Sequence, residues 1–391
     1  SSTNDVTLES NSENTTFTWV AVAESGIIGL VNTSSNGTTN IIPLETLSLS
    51  EGISAPLDVV YTITPICDGN EDCEGIPYTY TVTVNPLTGV SFIDDIVVCN
   101  GDSIDNIEFT STTQGGETTY EWVATGDDIG LDQTDDGSGL ISGFTADNLT
   151  LEPLISSITV TPTFTNGGVS SEGDPLTFTI TVNPTAQVDP EDSLDLCNGD
   201  TAVVDFTTSN GGVDSVTTYS WEITDGDSVF VGGALTGAGN INLPVINETN
   251  ADLVATVTVT PTYTNDGVDC TGPSEEFTIT VSPTAQVEQV EDIVVCNGDE
   301  VAEIVFATTS ENDIAYSWSI DTEIGTQSLT GVGNIPLFEA DNDTNDPIVA
   351  TVTVTPSNDE TDPSLTCEGS SIEFTITVNP TAQVDPEDSL D

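Results

Sequence analysis

The chain has 391 residues, with 66 Asp and Glu and no Lys, Arg or His, for a formal net charge of −66. That length calls for several hydrophobic cores rather than one. The missing cations exclude phosphate neutralisation on nucleic acid, attraction to anionic lipid headgroups, side-chain salt bridges and Lys–Asn isopeptide staples. The lack of any long apolar run excludes membrane insertion.

Along the chain the same elements return at a fixed interval, and such a repeat decides the fold before other signals. Trp19, Trp122, Trp221 and Trp318 each follow an aromatic residue by two positions (Phe17, Tyr120, Tyr219, Tyr316). A Thr-Pro is read as the end of an alternating strand at Pro65, Pro162, Pro261 and Pro356, and a second strand ends at Pro86, Pro184, Pro283 and Pro380. The string Cys-Asn-Gly-Asp begins at Cys99, Cys197 and Cys296, at spacings of 98 and 99. That period is the size of one immunoglobulin-type domain. It predicts domains at residues 1–85 (lacking its start), 86–184, 185–283 and 284–380, with a fifth repeat opening at 381–391. Residues 379–391 copy residues 183–195 letter for letter. The chain opens at Ser1 with neither an initiator Met nor a signal peptide, which reads as a segment with its targeting information elsewhere.

Within a repeat the pattern is β throughout. Residues 255–260 and 277–281 alternate apolar residues with Thr, the mark of half-buried strands, and the turn-rich residues 265–270 join them as a hairpin. Gly-rich stretches such as 232–239 read as loops. Alternation puts both rings of each aromatic-x-Trp motif on one face. Trp19, Trp122, Trp221 and Trp318 are therefore core aromatics of a central strand, with ligand stacking as the rival role. The fold class expected is all-β: tandem immunoglobulin-like, antiparallel β-sandwiches forming an elongated rod.

Seven cysteines, without metal-type spacing or any His, point to disulfides in an oxidising compartment. Cys197 and Cys270 lie 73 residues apart and Cys296 and Cys367 lie 71 apart, at matching positions. One bridge within each repeat is expected, Cys197–Cys270 and Cys296–Cys367, each closure worth roughly 4 kcal/mol in the chain-entropy treatment. Cys67 has Cys73 as a local partner. Cys99 is expected to be free or to pair with a neighbouring domain.

Val-Cys-Asn-Gly-Asp, Tyr-x-Trp, the run from Thr258 to Ser274, and the closing Phe-Thr-Ile-Thr-Val-x-Pro-Thr together resemble the PKD-like repeat of Bacteroidetes surface proteins. Residues 185–283 and 284–380 show the whole pattern, 86–184 lacks the second Cys, and 1–85 is truncated with an extra Cys. The resemblance implies a giant cell-surface adhesin of the SprB gliding-motility type, exported by type IX secretion to the outer surface of a Gram-negative cell. In that phylum O-glycans are added at Asp-Ser/Thr followed by a small or aliphatic residue. Ser103, Ser193, Thr201, Ser215, Ser228 and Ser389 match, in a chain where such a short motif also arises by chance. The Asn-x-Ser/Thr triplets at Asn14, Asn32, Asn148, Asn247 and Asn342 are read as uninformative.

Without His or Lys no nucleophilic triad can be assembled, and the usual zinc ligands are missing. Paired carboxylates arise by chance among so many acids. No catalytic residue is assigned and no enzyme activity is expected. Calcium, which takes oxygen ligands only, is the one cofactor weighed. Its candidate ligands follow the Pro-Thr-Ala-Gln-Val junctions: Asp189, Glu191 and Asp192, then Glu288, Glu291 and Asp292, then Asp385, Glu387 and Asp388. A solvated acidic linker is the plainer reading. Asp68, Asn70 and Asp72, and Asp341, Asp343 and Asn345, open like calcium loops but lack the closing Glu. The function expected is a stalk segment of a long extracellular adhesin or filament, which also leaves no trypsin-type cleavage site. Its partners would be neighbouring domains of the same longer chain, with an external surface or polysaccharide met by regions outside it. An array of carbohydrate-binding modules and a subunit of a multi-chain fibre are the alternatives.

Overall fold

The structure, a computed structural model, describes residues 5–35, 39–67, 73–131, 136–226, 228–325, 328–358 and 366–383. Among these residues every regular element is a strand. Backbone proximity divides the chain into two compact units: residues 1–185 with 266–270, and residues 186–265 with 271–391.

The second unit shows the repeated plan most fully. Its first sheet runs, in spatial order, through a leading strand Leu194–Cys197, a closing strand Glu275–Ser282, a central strand Leu253–Asn265, a Trp-bearing strand Val216–Gly226 and an edge strand Thr236–Ala238. A short second sheet pairs Thr201–Val204 with Ile241–Pro244. The inner faces bury Val257, Val259, Phe277 and Ile279 against Trp221, Phe206 and Ile241. The same order recurs in Ile293–Cys296, Ile372–Asn379, Ile348–Asn358, Ile314–Ile320 and Thr330–Val332, around a core with Trp318, Phe306 and Phe374. Alternation of Val or Ile with Thr drives this. Val257 and Val259 are fully buried while Thr256, Thr258 and Thr260 beside them are half-buried, so each strand contributes one apolar row.

The first unit also holds two cores. The one around Trp122, Phe109 and Phe178 has the full plan, from leading strand Ile96–Cys99 to closing strand Leu176–Asn183. The one around Trp19, Phe17 and Tyr61 has three main strands only: Thr15–Ala23, Leu57–Cys67 and Tyr78–Val84.

Two expectations need correction. The sheets are not wholly antiparallel, because each leading strand pairs parallel with its closing strand, as in Cys197 opposite Ser282 and Cys296 opposite Asn379. The Thr-Pro pairs do not end strands either. Pro65, Pro162, Pro261 and Pro356 lie inside the central strands, opposite the aromatic residue of the Trp-bearing strand. The Pro261 carbonyl accepts the Gly272 N–H at 3.1 Å, and the ladder with the closing strand stops two residues earlier, at Val259. The proline nitrogen therefore sits where no ladder donor is called for.

Candidate functional site at the Cys-Asn-Gly-Asp turn

The leading strand ends in a tight turn that is repeated three times with nearly the same geometry. Gly101, Gly199 and Gly298 hold φ of 87°, 91° and 85°, a left-handed conformation that glycine adopts without strain. The Asp of each motif accepts the N–H of its own Cys, at 2.9 Å for Cys99 to Asp102, Cys197 to Asp200 and Cys296 to Asp299. The Asn side chain then ties the turn to two distant segments. Asn198 Oδ1 accepts the Asn247 N–H at 2.8 Å, and Asn198 Nδ2 donates to Thr284 Oγ1 at 2.9 Å in the Pro-Thr junction. Asn100 with Asn148 and Thr185, and Asn297 with Asn342 and Thr381, repeat the arrangement.

Asn148, Asn247 and Asn342 are the residues that sequence reading passed over as chance sequons. Each is buried. Asn247 donates to the carbonyls of Ala251 and Val281, and its own Oδ1 accepts both the N–H and the hydroxyl of Thr249. The Asn-x-Thr spacing is thus the signature of a hydrogen-bonded loop that seals the end of the sheet. The signal was the recurrence of the triplet at one point of every full repeat.

The junction segments dock through their small residues, while the acids that follow, Asp192, Glu288, Glu291 and Asp292, are exposed. Thr88, Ala186 and Ala285 are buried, and a Cβ on Gly272 or Gly369 would stand 1.8 Å from the carbonyl oxygen of Ala186 or Ala285. The four core tryptophans are buried, with indole N–H groups that find no partner. Gly237 and Gly331 lie flat on two of them, where a Cβ would come 2.2 Å from the ring.

The disulfides overturn the expected pairing. Cys197 is bonded to Cys367 and Cys99 to Cys270, across 170 and 171 residues, while Cys296 is free and exposed. Cys67 is joined to Cys73. The reason is strand direction. Cys296 sits level with Asn379, beside the start of the Ile348–Asn358 strand, whereas Cys367 lies at that strand's other end, next to the Ser357–Glu368 bridge. An eleven-residue strand separates them by roughly 35 Å, against the 7 Å limit for bridging two cysteines. Cys99 and Cys197 therefore each face the hairpin Cys of the following repeat, not their own.

With no cations available, carboxylates bond to backbone N–H groups and hydroxyls instead. Asp95, Asp292 and Asp321 accept the N–H groups of Thr179, Thr375 and Thr351, which holds their carboxyls below the usual value of 3.8. Asp292, a calcium candidate, is engaged in this way, and Asp189 accepts the hydroxyls of Thr207 and Ser209. Partial burial raises the Glu191 carboxyl, and the charges of Asp189, Asp192 and Asp205 raise it further. Among the described residues no three acidic or Cys side chains gather as metal ligands would, and Glu288 and Glu291 are in no such group. Asp385, Glu387, Asp388 and Ser389 lie outside the described residues, as do Asp68, Asn70 and Asp72. Among the glycan candidates Ser103, Ser193 and Thr201 are exposed, Ser215 is half-buried, and the Ser228 hydroxyl oxygen is buried without a partner.

Residues 2–88 and 195–285 match the PKD-like domain family. These PKD-like stretches span just under half of the chain. No curated protein matches it. Among solved structures it is similar to Drosophila N-cadherin EC1-4 (13% identity, TM-score 0.30, 96% of this chain and 94% of that one). It is also similar to a three-immunoglobulin-domain structure of titin (10%, 0.36, 75% and 99%) and to Sidekick-1 immunoglobulin domains 1–4 (12%, 0.27, 97% and 94%). Among its described residues the chain is all-β, and two of its stretches match the PKD-like domain family.

Proposed function

We propose that the chain is a tension-bearing spacer in an extracellular adhesin or surface filament, holding a binding element away from its anchorage. The observation that carries this reading is the covalent bond between successive repeats, Cys197–Cys367 within the second unit. A hydrophobic core resists unfolding, but only a bond across the junction stops neighbouring cores from being pulled apart. Disulfides fit an oxidising, extracellular compartment. The sequence resemblance to Bacteroidetes repeats adds the finer reading of a gliding-motility adhesin delivered by type IX secretion, with polysaccharide or another surface bound by other regions.

Single-molecule extension of the chain, tethered at its two ends, tests it. With disulfides intact, the shortest covalent path follows residues 1–99, 270 back to 197 and 367–391, so about 200 residues stay hidden from the pulling force. Adding reductant should release roughly 700 Å of further length at about 3.5 Å per residue. Unchanged releasable length would end the spacer reading. Saturable binding of the chain itself to polysaccharide would move it to the binding-module class.

A further inference from the structure

We infer that Cys296, together with the Asn345 and Pro380 carbonyls of the same repeat, is the docking and cross-linking site for a further PKD-like repeat, whose β-hairpin cysteine it bonds. The inference stands apart from the spacer reading, since the pairing follows from the fold whatever load the array carries.

The same residue type is ligated in both sister positions. Cys99 and Cys197 occupy the position of Cys296 after identical turns, and each is bonded to a hairpin cysteine one repeat further on. The carboxylate–amide bond that fixes the cysteine backbone is 2.9 Å in all three copies, so Cys296 is held as they are. The difference lies in cover: Cys99 and Cys197 are half-buried and Cys296 is exposed. Polar contacts in the second unit mark the rest of the footprint. Asn358, at the base of the hairpin that carries Cys367, donates to the Pro283 carbonyl at 3.2 Å, and Glu311 N–H donates to the Asn250 carbonyl at 2.8 Å. One period on, Pro380 and Asn345 stand at those positions, with Asn345 in an exposed loop. The hairpin cysteines of this chain are all in use: Cys73 with Cys67, Cys270 with Cys99, and Cys367 with Cys197. The occupant is therefore a hairpin of the Asn265-to-Cys270 type on an additional repeat. Residues 379–391 already begin such a repeat in sequence.

Bond formation needs a disulfide oxidant, supplied by a thiol–disulfide oxidoreductase or by glutathione disulfide. The Cys296 thiolate attacks one glutathione sulfur and expels a glutathione thiolate. The hairpin thiolate then displaces the second glutathione. Two electrons pass to the glutathione pair, and the two cysteine protons end on the two leaving thiolates.

The test extends the full chain by appending residues 196–283 after Asp391, which completes a fifth repeat in register. In the unextended chain a maleimide should label one equivalent of thiol under native conditions, at Cys296. In the extended chain, oxidised with glutathione disulfide and cut with Glu-specific protease, Cys296 should be linked to the appended copy of Cys270. Its labelling should fall at least tenfold, and the label should move to the appended copy of Cys197. A second extension built from residues 295–380 offers a copy of Cys367 on a different sandwich, in case the first fails to fold. Full labelling of Cys296 beside a folded fifth repeat, or its linkage to any cysteine other than the hairpin copy, would overturn the assignment.

Discussion

The core around Trp19 and the core around Trp221 solve the same problem in different ways. In the second, the leading strand Leu194–Cys197 fills the edge beside the closing strand, its turn is locked to Asn247, and Cys197 reaches out of the repeat. The first core has no such strand among its described residues. Its hairpin bonds to itself through Cys67 and Cys73, six residues apart. Its polar centre is Glu45, a buried carboxylate that accepts the N–H groups of Val31 and Asn32, the Asn32 amide and, at 3.4 Å, the Tyr61 hydroxyl. One sandwich is closed by neutral amides and tied to its neighbour. The other is closed around a charge and tied to itself.

The largest expected contrast comes from the disulfides. Removing the Cys197–Cys367 bond with C197S/C367S should cost about 5 kcal/mol, because the loop it closes is long, whereas C67S/C73S should cost about 2 kcal/mol. Urea titration monitored by Trp fluorescence measures both, and equal losses would erase the distinction between the hairpins. Next comes the polar seal. Asn247→Ala strands the Val281 and Ala251 carbonyls and frees Thr249, for a loss of about 3 kcal/mol. Asn32→Ala, at an exposed residue that leaves Glu45 two backbone donors, should cost below about 1 kcal/mol. The calorimetric melting temperature separates these two.

The smallest effect is alkaline. Burial first, and the charge of Glu45 second, push the Tyr61 hydroxyl from its ordinary 10.0 up to about 12. A tyrosine whose folded pKa is raised favours the folded state fully below its unfolded value. That contribution is lost as pH climbs from 10.0 towards 12. Tyr120, Tyr219 and Tyr316 are also raised by burial, but each stands partly exposed. The first core should therefore weaken most in that window, as read by tyrosinate absorbance and loss of Trp19 fluorescence. Tyr61→Phe should abolish its lead over the others.

Much of this was legible in the sequence, for a physical reason. Period-two alternation in residues such as 255–260 reports burial directly, and Trp19, Trp122, Trp221 and Trp318 are indeed core residues. Disulfide partners were not legible, because a repeat hides which copy a cysteine faces. Separations of 73 and 170 residues differ by one period, and only the parallel leading strand distinguishes them. The Thr-Pro ends were misread because proline breaks a ladder only where a donor is required, and Pro261 sits between two partners. The Asn-x-Thr loops were hidden by their likeness to a modification signal.

The overlap of the two long disulfides has one more consequence. Every peptide bond from Cys99 to Cys367 lies inside at least one closed covalent ring, and those from Cys197 to Cys270 lie inside two. A protease that cuts once anywhere in that stretch opens a ring without severing the molecule, so an exposed loop can be nicked and the ends still hold.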